Sequence, residues 1–73
     1  VMLTHHHELV LAEEYLRNLR LNAVRRRLIT TRAAALNVSE IAVAMGFFHL
    51  SHFAAHYRAL FGESPSDTPR PPA

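Results

Sequence analysis

The stretch from Ser39 to Phe61, SEIAVAMGFFHLSHFAAHYRALF, constrains this chain more than any other. Its order of capping, apolar and glycine positions is what two short helices joined by a tight turn require. Ser39 is expected to cap the first helix, with Glu40 in the first turn, where a carboxylate suits the positive end of the helix dipole. Ile41, Ala42 and Met45 then make one apolar edge at i, i+1 and i+4. Gly46 ends that helix, because a left-handed C′ residue costs glycine no Cβ clash. A second helix is expected from Leu50 or Ser51, with Phe53, Tyr57, Leu60 and Phe61 as its inward stripe. Its other face carries Ser51, His52, Ala55, His56 and Arg58, which are small, hydrogen-bonding or basic, with no acid among them.

Two helices around a glycine turn, the second with an acid-free outer face, predict a helix-turn-helix whose recognition helix enters the DNA major groove. The same residues resemble a known family. Glu40-Ile41-Ala42, Gly46-Phe47, Ser51-His52-Phe53, Tyr57-Arg58, Leu60-Phe61-Gly62 and Ser64-Pro65-Ser66 are similar to the C-terminal signature of the AraC/XylS family of bacterial transcriptional activators. A spacing sustained over that length is more specific than a lone helix-turn-helix pattern.

A chain of 73 residues with no cysteine has to build one small core without disulfides or thiolate-bound metal. Its apolar fraction of 49% and helical periodicity predict an all-α fold, a homeodomain-like three-helix unit with a long N-terminal linker helix. No apolar run is long enough to span a bilayer and no signal peptide is evident, so the expected compartment is the cytoplasm.

Residues 1–14 read as an extension, either helical, with Thr4 as its cap, or left over from expression. His5, His6 and His7 are consecutive and would diverge on a helix, which suits a solvated face or such a remnant better than a metal site. From Tyr15 to Ile29 two apolar rows run side by side, Leu16, Leu19 and Ala23 in one and Leu21, Val24 and Leu28 in the other. Arg17, Arg20, Arg25, Arg26, Arg27 and Arg32 lie among and beyond them, and no acid occurs from Tyr15 to Arg32. Such a block reads either as a solvated charged face or, with no counter-charge in the segment, as phosphate contact by guanidinium forks. Tyr15-Leu16-Arg17, Arg20-Leu21 and Ala23 also resemble the family's linker helix, which joins two helix-turn-helix units. The resemblance covers Tyr15 to Asp67, so 15–67 is expected to be the DNA-binding unit. Thr30 to Val38 is a connector, in which Ala33, Ala34 and Ala35 could form a brief helical turn. Gly62 is a second C′ glycine, Ser64 a cap with Pro65 at the first position, and 68–73 a disordered proline-rich tail.

Match to the family pattern and position on the exposed half of the helix make Leu50, Ser51, His52 and Ala55 the candidates for base edges. Arg25, Arg26, Arg27 and Arg58 are the candidates for phosphates. His49, His52 and His56 fall at i, i+3 and i+7, but with no carboxylate nearby they read as groove-facing or solvated rather than as a zinc site. Ser51-His52 has no third partner for nucleophilic catalysis, and there is no glycine-rich phosphate loop, so no enzyme, cofactor, metal or small-molecule site is expected. The expected partner is double-stranded DNA. The alternative is a truncated helical interaction or dimerisation module that does not bind DNA. With Leu16, Leu19 and Ala23 uncovered, a homodimer through the linker helix is expected, the other cover being the segment around Leu9 and Val10 folded back.

Overall fold

The computed structural model describes residues 2–31 and 37–69, with side chains from residue 9 onward. These residues form three α-helices, α1 (Met2–Thr30), α2 (Val38–Ala44) and α3 (Leu50–Phe61), followed by a 3₁₀ turn at Pro65–Asp67. The all-α helix-turn-helix architecture is as the sequence implies. The extension and the linker are one continuous helix that begins at Met2, so Thr4 lies inside α1 and not at its start. The side chains of His5, His6 and His7 and the expected turn at Ala33–Ala35 lie outside the described residues.

Of the two apolar rows on α1, Leu21, Val24 and Leu28 are the buried one. They meet Ile41 and Ala42 of α2 and Phe53 and Tyr57 of α3 in a single core, with Val38, Met45, Phe47 and Phe61 packed around it. Leu16 and Leu19 stay half exposed. Row choice follows from where the chain returns, since α2 and α3 both lie against the Leu21 side.

The cap of α2 differs from expectation. Asn37, not Ser39, is the N-cap, and its side-chain oxygen accepts the Glu40 amide at 2.8 Å. The helix therefore begins two residues earlier, placing Ser39 inside its first turn and bringing Val38 to the edge of the core. Gly46 follows with φ +97°, and the Phe47 amide returns to the Ala42 carbonyl at 2.9 Å, which closes the turn. That φ is one an L side chain rarely adopts, so glycine is required there.

Two further expectations are corrected. Leu60 is 42% exposed instead of continuing the stripe of α3, about 100° around the helix from Phe61, the side on which the core continues. Phe61 takes that end instead, its ring 4.5 Å from Tyr57. The tail is also not loose from its start. Thr68 is buried and its hydroxyl is hydrogen-bonded to the Tyr57 hydroxyl, so the chain is fastened to α3 as far as Thr68. Ser64 holds this turn through its hydroxyl, which donates to the Asp67 carboxylate at 2.8 Å and not to a backbone group.

Candidate nucleic-acid interface

Burial of Phe53 and Tyr57 fixes the rotation of α3, and the residues around them then have no freedom in where they point. Leu50, Ser51, His52 and Ala55 are all exposed, as is Arg58. Ser51, Ala55 and Arg58 lie at i, i+4 and i+7 on the side of α3 opposite its buried residues, and His52 stands beside them toward α1. This face offers hydroxyl and imidazole hydrogen bonds, two apolar groups and one guanidinium, a set suited to base edges with a phosphate at the margin.

The α1 arginines separate into different environments. Arg25 is partly buried, with its guanidinium 3.5 Å from the Glu63 carboxylate and 4.8 Å from the centre of the Phe61 ring. It serves to brace the end of α3, and the counter-charge missing from its own segment comes from 38 residues later. Arg26 is exposed but lies midway between Val24 and Leu28 around the helix, hence on the side away from α2 and α3. Arg27 is exposed on the flank that Arg20 also occupies, seven residues earlier. Arg32 lies outside the described residues.

Sequence reasoning missed the partnership between the middle of α1 and the turn. Glu13, Arg17 and Arg20 line a cleft of about 340 Å³ opposite Gly46, Phe48, His49, His52 and His56. Phe48 is the most exposed large apolar side chain described, at 77%. The rings of His49 and His52 are 5.6 Å apart. Burial, then the Arg17 charge, then that of His52 lower the pKa of His56 below the ordinary imidazole value of 6.5. Among the described residues no group of three or more histidine or acidic side chains is placed to hold a metal ion. None of the described helices is long and apolar enough to cross a membrane.

A helix-turn-helix domain family model matches residues 5–70, which extends the likeness upstream of Tyr15 into the extension. The chain is 47% identical over 58 residues to XylDLEGF operon transcriptional activator 1 of Pseudomonas putida, covering 80% of this chain and 18% of that protein. It is 44% identical over 54 residues to XylDLEGF operon transcriptional activator 2 of the same organism, covering 74% of this chain and 34% of that one. A probable thc operon regulatory protein of Rhodococcus erythropolis is 38% identical over 52 residues, 71% of this chain and 16% of its own length. The chain thus spans less than a fifth of the first of these relatives. No solved structure matches it. With the family match running through α1, α2, α3 and the closing 3₁₀ turn, the chain belongs to the AraC/XylS family of helix-turn-helix transcriptional regulators.

Proposed function

We propose that this chain binds duplex DNA in a sequence-dependent manner, as part of a bacterial transcriptional activator, with α3 in the major groove. The observation that carries the reading is the division of α3. Phe53 and Tyr57 lock it into the core while Leu50, Ser51, His52 and Ala55 stand exposed and free of acid. In this reading Ser51 and His52 hydrogen-bond base edges, and Leu50 and Ala55 make apolar contact such as with a thymine methyl. Arg58 and Arg27 take phosphates, while Arg25 holds the end of α3 and Arg26 faces away. Activation as the outcome is supported by the likeness to the Pseudomonas putida operon activators. The unit doing this is 15–67 with α1 extending before it, and its place of work is the cytoplasm, where promoters are. The reading assigns it no catalysis, cofactor or small molecule of its own.

The exposed row on α1, with Leu9, Leu16 and Leu19 all about half exposed, supports a second copy paired through that helix. Leu9, Ala12, Leu16, Leu19 and Ala23 alternate steps of three and four residues, the spacing of a two-helix seam.

Selection of bound sequences from a random duplex pool tests the function. An enriched motif is expected, with its information lost when Ser51 and His52 are both replaced by alanine. Failure to shift any duplex at low salt would refute the reading and favour a non-DNA-binding interaction module.

A further inference from the structure

We propose that the cleft between α1 and the start of α3 seats a DNA backbone phosphate, held by Arg17 and Arg20 together with His52 and His56. This rests on the DNA-binding reading and adds to it a further phosphate seat, on the α1 side of the groove helix. Three observations converge on it. The first is supply of charge. Among the described residues the one ion pair is Arg25 with Glu63, so Arg17 and Arg20 have no carboxylate within 4.0 Å. Glu13, one turn before Arg17, is the one acid on the rim.

The second is placement. Arg20 lies across the turn, so that a Cβ built on Gly46 would stand 3.8 Å from its guanidinium. That separation is ordinary van der Waals contact, so the Arg20 guanidinium stands over the turn that opens α3. Arg17 sits close enough to His56 to help depress its pKa. Two guanidiniums and the facing imidazoles therefore share one concave wall.

The third is continuity. His52 belongs both to this wall and to the exposed groove-facing edge that carries Ser51 and Ala55. A duplex entered by α3 presents its backbone beside the groove, and the cleft, whose guanidinium and imidazole groups stand among Leu16, Phe47, Phe48 and Phe53, adjoins that edge. A phosphate there would stabilise imidazolium at His56, against the burial and the Arg17 and His52 charges that disfavour it in the free protein. His49 stands next to His52 on this wall, and Glu13 is its one carboxylate. Binding should then take up protons, and affinity should rise as the pH falls from 8 to 6.

The test is the salt dependence of affinity for a duplex recovered by selection, measured at pH 8 for the full chain and for R17A/R20A, with helicity checked by circular dichroism. Each phosphate contact adds about 0.9 to the slope of log K against log [salt]. The double variant should lose up to ~1.8 in slope, equivalent to about a twelve-fold smaller loss of affinity between 50 and 200 mM salt, with the preferred sequence unchanged. R17K/R20K should keep the slope. H56Q should flatten the rise in affinity toward pH 6. An R17A/R20A slope equal to that of the unaltered chain, in a folded variant, overturns the phosphate seat while leaving DNA binding in place. Absence of binding by the unaltered chain removes both.

Discussion

Asn37 sets where α2 begins, taking the Glu40 amide that would otherwise be an orphan of the first turn. Replacing it with alanine should lower stability by about 1 kcal/mol, which for a domain this small is about 4–8 °C in Tm. Ser39→Ala, inside the helix and exposed, should be close to neutral, and thermal melts of the two variants decide between the caps. Both residues satisfy the chemistry of an N-cap, and the sequence reading settles on Ser39. The spacing of Asn37 to Glu40, a capping-box-like interval, is the signal that would have pointed to Asn37. Gly46 and Gly62 were legible without ambiguity, because φ values of +97° and +77° are conformations that punish every alternative side chain. Arg25 was not legible. Its partner Glu63 lies in another element, and a segment empty of acids says nothing about the acids folded against it.

At the scale of elements, α3 shows how far periodicity reaches. Phe53 and Tyr57 obeyed it because α1 and α2 stand over them, and Leu60 broke it because a stripe continues only as far as its neighbours do. Phe53, with its ring 5.0 Å from Phe47 and 5.9 Å from Tyr57, joins the turn to the recognition helix. Phe53→Ala should cost about 3–5 kcal/mol, a large share of what so small a core holds, and should remove helicity and DNA binding together. Circular dichroism and a mobility shift on the same sample check this. A variant that keeps its helicity and loses only binding would mean that Phe53 faces DNA. The exposed edge of α3 was readable from its sequence because one helix determines it. The cleft was not, since Arg20 and Gly46 meet only through tertiary packing. The fastening of Thr68 to Tyr57 escaped for the opposite reason: nearby prolines signal an end to helix, and they are silent about a hydroxyl finding a buried partner.

The described residues span 53 × 22 × 19 Å, more than twice as long as wide, because α1 outruns the body formed with α2 and α3. Leu21, Val24 and Leu28 grip that body, and the row of Leu9, Leu16 and Leu19 stands uncovered. Sedimentation over a concentration series should show a dimer, and Leu16→Glu should return it to monomer by placing a charge in the seam. A folded monomer at high micromolar concentration would exclude pairing. The unbroken run of α1 from Met2 to Thr30 also ties its two halves together in phase. At about 100° per residue, one residue inserted after Ala12 swings Leu9 more than a quarter turn off the line of Leu16. Seven inserted residues return it to within about 20° and only lengthen the arm. α1 is therefore a shaft as well as an arm, and the surface one half presents is timed, in steps of a heptad, to the unit the other half holds.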